Sequence, residues 1–384
     1  MNNKKMENED PSKLERWNSG EYPVKVNSIR YNQDYSLFTL GTSKGYRIFL
    51  TKSLKSALEE SEAVRNLGDL NIVMTYYKSS LVFFLPGKDN PNYSTSELVV
   101  FDDLYQAKFA SFKVKSEEIS NFFVSKNVIY VTTLSQIIIL EVLTFKVIEV
   151  IETANTTYKL ISFNFYDIFS YMKLNDKKTV YTQIFMNNKH KVENILTKKI
   201  ESPFIFMQLI QLSPNGSMIA VVSIFGNKIH LYYTQSSRLK ECIYLGNSIM
   251  SIEKLCFSKK KENYILIIRN NQKFYVYKTS KNFVEYPKCI CSKYDDKNLT
   301  KKDINQDDEN NGGFLGLFRR NTKNHDIKDI HAFSQYMGNP FLIDFEMVHN
   351  KDLIIIDRKG KIERFHFNKR KEGGINPFFS LDWI

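Results

Sequence analysis

Six histidines occur, His190, His230, His325, His331, His349 and His366, scattered along the chain. His325 and His331 are the nearest pair in the long polar stretch, but their spacing is not that of metal ligands. Of the four cysteines, Cys242, Cys256, Cys289 and Cys291, the last two form a C-x-C. A zinc site needs two such pairs or histidines close by, so free thiols in a reducing compartment are expected, with no metal and no cofactor. Asp102 and Asp103 are adjacent carboxylates. Neighbouring strand residues point to opposite faces, so the pair suits strand termination and turn hydrogen bonding better than shared acid-base work. G-x-G-x-x-G, the P-loop, H-E-x-x-H and G-x-S-x-G are all missing, and the expectation is a protein without catalytic activity. One segment concentrates recognition chemistry. Phe314, Leu315, Leu317 and Phe318 form an apolar patch followed directly by Arg319 and Arg320. Apolar side chains beside guanidinium groups make an interfacial membrane anchor, and a helix formed on contact puts Phe314, Leu317 and Phe318 on one face. The other reading is that the patch folds back on the protein or fills a partner's groove.

The elements that must position such groups are short strands. Runs such as Ser36 to Leu40, Tyr46 to Leu50, Ser80 to Phe84, Val128 to Thr133, Met218 to Ser223 and Lys228 to Tyr233 are rich in β-branched and aromatic residues. Many are paired across two to five turn residues, as at Leu134-Ser135 and Asn270-Asn271-Gln272. Hairpin pairs recurring at roughly 40 residues are the mark of propeller blades. The expected fold is all-β, a single seven-bladed WD-repeat-like β-propeller over residues 21–384, with a strand near the N-terminus pairing with the last blade to close the ring. Residues 1–20 read as a disordered tail. Residues 281–337 read as a long insertion, nearly all Asp, Asn, Lys and Gly from Asp295 to Gly313, poorly ordered and facing a membrane with its apolar patch.

The net charge is +12. A basic balance favours anionic partners, although abundant Lys, Asn and Ile make coding bias an equal account. The basic turns at Lys259-Lys260-Lys261 and Lys369-Arg370-Lys371 lack interleaved aromatics, so nucleic acid is not an expected partner. Met1 to Gly20 has no apolar core of a signal peptide, and no apolar run approaches the ~20 residues of a membrane span. A soluble, cytoplasmic, monomeric protein is expected, with peripheral membrane contact.

Tyr31-Asn32-Gln33-Asp34-Tyr35-Ser36, leading into Gly41-Thr42-Ser43-Lys44-Gly45-Tyr46-Arg47-Ile48-Phe49, resembles the first-blade signature of the PROPPIN family. Tyr77 to Leu81, Pro86 to Pro91 and Glu97 to Asp103 resemble that family's second blade. PROPPINs are propellers that bind phosphatidylinositol 3-phosphate and 3,5-bisphosphate and serve autophagy. The resemblance implies a peripheral membrane adaptor on organelle or autophagosomal membranes, with autophagy-type protein partners. The family's FRRG motif places two adjacent arginines on one strand, one on each face, and each serves a lipid headgroup. Its register falls here on Ile243-Tyr244-Leu245-Gly246, where only Gly246 is kept. Loss of each arginine removes about 1.5–3 kcal/mol of charge-assisted bonding. The first headgroup pocket maps to Ser223, Asn227 and His230. The second maps to Arg269 and Lys273, which either meet phosphate or keep a sheet edge soluble. Phe318-Arg319-Arg320-Asn321 nearly spells the motif but lies too late in the chain. Two functions follow: a lipid-reading adaptor with an eroded headgroup site, or a propeller scaffold that no longer binds phosphoinositides.

Overall fold

The computed structural model describes residues 24–269, apart from 54, 58–60, 116, 154–159, 174–175, 189–190, 205, 246–248, 250 and 258–263, together with 274–278, 344–349, 352–356, 362–367 and 375–381. Its strands form seven antiparallel sheets. The first contains β1 (Val26–Tyr31), β2 (Leu37–Thr42) and β3 (Gly45–Leu50). A single helical turn, α1 (Glu62–Arg65), leads to the second, β4 (Leu70–Thr75), β5 (Leu81–Pro86), β6 (Glu97–Asp102) and β7 (Ala107–Lys113). The third holds β8 (Asn121–Val124), β9 (Val128–Thr132), β10 (Gln136–Glu141) and β11 (Val147–Glu152). The fourth holds β12 (Ile161–Phe163), β13 (Ile168–Lys173), β14 (Asp176–Asn188) and β15 (Lys191–Glu201). The fifth holds β16 (Met207–Leu212), β17 (Met218–Ser223), β18 (Lys228–Tyr233) and β19 (Leu239–Tyr244). The sixth holds β20 (Ile252–Phe257), β21 (Tyr264–Arg269) and β22 (Phe274–Lys278); the seventh holds β23 (Asp344–His349), β24 (Asp352–Ile356), β25 (Ile362–Phe367) and β26 (Ile375–Leu381).

Each sheet is a meander in which chain neighbours pair, and successive sheets touch through their first strands, β4 against β8 and β16 against β20. This is the repeat of a β-propeller. The inner strands are mostly apolar and are buried along their length where a sheet is covered on both sides. All six residues of β2 and of β17 are buried, whereas the outer strand β7 is mostly exposed. On the fifth sheet, Ala220, Val222, Ile229, Leu231 and Ile243 pack toward the sixth. The alternate residues Ile219, Val221 and Tyr232 pack toward Met172, Val180 and Ile200 of the fourth.

The segment Asn32–Ser36 staples three sheets. Asn32 Oδ1 accepts from the Leu37 N–H at 3.0 Å, and its Nδ2 donates to the Tyr77 carbonyl at 2.9 Å. Gln33 accepts from the Tyr77 N–H at 2.6 Å and donates to the Val124 carbonyl at 2.9 Å. Tyr35 meets Phe165 of the β12–β13 turn edge-on at 4.9 Å, and Phe165 stacks on Phe123 at 4.8 Å. Asp102 serves the turn as expected, accepting from the Leu104 N–H at 3.0 Å, whereas the Asp103 carboxylate ties the second sheet to the first by accepting from the Tyr46 hydroxyl. Gly216 closes the β16–β17 turn at φ +73°, where a Cβ would lie 2.5 Å from Asn164 Nδ2.

Two features depart from the sequence expectations. The first described strand, β1, pairs with β2, and the seventh sheet draws its four described strands from its own stretch of chain. The fourth sheet, in a stretch where no strand run was named from sequence, carries a hairpin of 13 and 11 residues. Its strands were hard to see because Lys177, Lys178, Thr179, Gln183, Lys198 and Lys199 interrupt the apolar pattern. The tail 1–20 and the insertion 281–337 lie outside the described residues. Truncating the buried Phe165 to alanine should cost about 3–4 kcal/mol in denaturant unfolding, whereas Leu143→Ala, at an exposed turn, should cost under about 0.5 kcal/mol. Equal effects would contradict the described packing.

Candidate functional site

Of the positions singled out above, the fifth sheet carries Ser223, Asn227, His230, Ile243 and Tyr244. Its β17–β18 turn runs from Ser223 through Gly226 to Asn227. Gly226 adopts φ +65°, and its N–H donates to the Ser223 carbonyl at 2.9 Å. The Ser223 side chain is buried. Its hydroxyl donates to Asn227 Oδ1 at 3.0 Å and accepts from the Lys228 N–H at 3.2 Å. Both polar groups are thus committed to holding the turn.

His230 lies within β18, opposite Val221 on one side and Cys242 on the other. It is 1% exposed, its ring is 4.5 Å from that of Phe204, and its Nδ1 is 3.3 Å from the Tyr232 hydroxyl. Burial, with a smaller contribution from the Lys228 ammonium, pushes its pKa down to about 4. At neutral pH it offers an uncharged imidazole and no cation for a phosphate. The Nε2 atom has no hydrogen-bond partner among the described residues.

The motif positions fall at the end of β19. Ile243 pairs with Ile229 and Tyr244 with Lys228. Ile243 is buried in the cluster shared with the sixth sheet, and Leu245 packs against that same cluster. Tyr244 is 48% exposed on the alternate face. Tyr244 and Leu245, the positions on which the sequence reading places the motif's arginines, therefore face opposite sides, as adjacent strand residues must. Sequence reading missed Lys228, which stands across the ladder from Tyr244. The β18–β19 register would have revealed it, since Lys228 comes from the neighbouring strand. Arg269 ends β21 opposite Ile252, in the sixth sheet. Gly246, Lys273 and the apolar patch Phe314, Leu315, Leu317 and Phe318 with Arg319 and Arg320 lie outside the described residues, as do Cys289 and Cys291. Among the described residues no group of three or more His, Cys, Asp or Glu is placed to hold a metal ion, and no helix is long and apolar enough to cross a membrane.

Strand order, two-sided burial and the staggered meanders define a β-propeller, and known structures agree. The chain matches the structure of Kluyveromyces lactis Hsv2 with a TM-score of 0.65 at 14% identity, over 94% of this chain and 99% of that one. Kluyveromyces marxianus Hsv2 gives 0.64 at 13% identity, over 93% and 98%. By sequence, SVP1-like protein 2 of Saccharomyces cerevisiae is 22% identical over 281 residues, 66% of this chain and 62% of the yeast protein. SVP1-like protein 2 of Schizosaccharomyces pombe is 32% identical over 79 residues, 21% of each chain. No family model matches the chain. The likeness read from the first two blades thus extends, as a fold, over most of the chain, and the protein is a β-propeller similar in fold to the Hsv2 structures and in sequence to SVP1-like protein 2.

The buried His230 makes a pH-dependent contribution. Its folded pKa of about 4 lies below the ordinary 6.5, so the unfolded state binds the proton first as pH falls. The contribution is complete above pH 6.5 and is lost on acidification toward pH 4. Between pH 7 and pH 5 the parent should lose about 2 kcal/mol more stability than a His230→Phe variant, measured by denaturant unfolding at both pH values. Parallel losses would place the imidazole in water.

Proposed function

We propose that this protein is a non-enzymatic, peripheral membrane adaptor of the PROPPIN kind, working in autophagy or related organelle membrane traffic on a closed seven-bladed ring. The layout of the fifth sheet carries the reading. Tyr244 and Leu245 occupy the two-faced positions at the end of β19, and the Ser223–Asn227 turn keeps its serine and glycine beside them. The positions that bind headgroups in PROPPINs are present as a framework and lack the cations. Lipid is then held weakly, through Lys228, Arg269, Lys273 and the apolar patch at Phe314, Leu315, Leu317 and Phe318 with Arg319 and Arg320. Each buried apolar side chain contributes on the order of 1–2 kcal/mol and each arginine about 1 kcal/mol near an anionic surface, reduced by the entropy of ordering the segment.

Protein partners of the autophagy type are part of the proposal. A Kluyveromyces lactis Atg21 propeller, whose fold this chain shares with a TM-score of 0.57 at 13% identity, has been solved in complex with the coiled coil of Atg16. The missing arginine pair favours a second reading, in which the propeller scaffolds proteins and no longer reads phosphoinositides.

Vesicle flotation separates the two. The parent should float weakly on anionic vesicles, with little gain from phosphatidylinositol 3-phosphate or 3,5-bisphosphate. Tyr244→Arg, at an exposed position, should add about tenfold to binding of phosphoinositide vesicles, the lower end of one charge-assisted contact. Phe314→Asp combined with Phe318→Asp should reduce flotation sharply. A parent that floats on no vesicle leaves the scaffold reading in its place.

A further inference from the structure

Three connections meet at one end of the fifth sheet. Residues 202–206 bring the chain from β15 into β16, residues 224–227 join β17 to β18, and residues 245–251, of which 245, 249 and 251 are described, lead from β19 to β20. Hydrogen bonds tie them together. The Ile224 N–H donates to the Phe206 carbonyl at 3.1 Å. Gln208 Nε2 donates to Ser251 Oγ at 3.2 Å, and Gln208 Oε1 accepts from the Ile252 N–H at 3.0 Å. Each connection holds a large apolar side chain in solvent: Phe206 is 52% exposed, Ile224 41% and Ile249 65%. Phe204 in the first connection and Ile252, the first residue of β20, are buried. The core is therefore already supplied, and the three exposed side chains add nothing to it. Turn positions ordinarily carry polar residues that bond their own backbone, so three bulky apolar groups on adjoining connections point to a surface that something else covers.

We propose that Phe206, Ile224 and Ile249 form an apolar rim that enters the interfacial layer of an anionic bilayer, and so seats the outer strand β19 against lipid. The inference rests on the membrane reading above and adds to it a contact surface on the folded sheet. Charge and shape identify the occupant. Lys228 opens the strand that follows Ile224, Tyr244 pairs with it across the ladder, and the whole chain carries a net charge of +12. An amphipathic phenol beside an ammonium is suited to the headgroup layer, and the overall charge is complementary to anionic lipid. The three apolar groups stand on separate backbone connections. A fluid bilayer closes around separate projections, whereas a protein partner must supply a matching depression for each.

The test uses the full chain and vesicles of phosphatidylcholine with phosphatidylserine, without phosphoinositide. A triple variant, Phe206→Asp, Ile224→Asp and Ile249→Asp, alters exposed positions only, and its thermal melt should match the parent's. Its flotation should fall at least about tenfold. As a direct reading of insertion, Ile249→Trp should add a fluorescence component that moves to the blue on mixing with vesicles. Leu143→Trp, in the β10–β11 turn, should not shift. If the parent floats and the triple variant floats equally, the rim is not the contact and the membrane reading stands without it. A parent that floats on neither these vesicles nor phosphoinositide vesicles overturns both.

Discussion

The inner strands of the second to fifth sheets must be buried on both faces, because each of these sheets packs between two neighbours. Burial is complete in β2, β9 and β17, whose few polar residues are Thr39, Thr42, Thr132 and Ser223. It breaks down in β7 and β11, the outermost strands of their sheets. Function is thereby confined to the outer strands and the connections, the places where a side chain can vary without leaving a hole in the core. The end of β19 is such a place. Alternation places Tyr244 toward solvent and Leu245 toward the sixth sheet, so a single pair of residues addresses two separate surfaces.

In the reading proposed above, the headgroup geometry is kept and its charge is not. Two guanidinium groups at Tyr244 and Leu245 would each offer forked donors to phosphate. A phenol and an aliphatic chain offer apolar area. His230, near enough in sequence to compensate, is buried against Phe204 and held neutral by that burial. Ser223 and Asn227 hydrogen-bond each other. In the account proposed here, attachment shifts from recognition of a headgroup to burial of apolar side chains helped by diffuse positive charge. Such attachment is weaker, salt-sensitive and indifferent to lipid isomer.

The fold was legible from hairpin spacing and from the Tyr31–Ser36 segment, and the structure gives that segment a physical role. Asn32 and Gln33 bond the second and third sheets, and Tyr35 reaches Phe165 of the fourth, so these residue types are required by contacts with several blades. The long hairpin of the fourth sheet was not legible, because Lys177, Lys178, Lys198 and Lys199 break the period on which strand recognition depends. For the site, the alternation at Ile243, Tyr244 and Leu245 could be read from sequence. The burial of His230 could not, since it depends on Phe204 arriving from a different connection. The exposed rim at Phe206, Ile224 and Ile249 was equally hidden, because apolar residues near strand ends read as core until the connections are placed.

Hydrogen exchange of the full chain, with and without anionic vesicles, tests the central claim most directly. The account predicts slowed exchange in residues 202–206, 224–227, 245–251 and 314–320 on adding vesicles, with the turns at 102–107 and 141–146 unchanged. Unchanged exchange in all four segments, or protection confined to the turns of the second and third sheets, would contradict it.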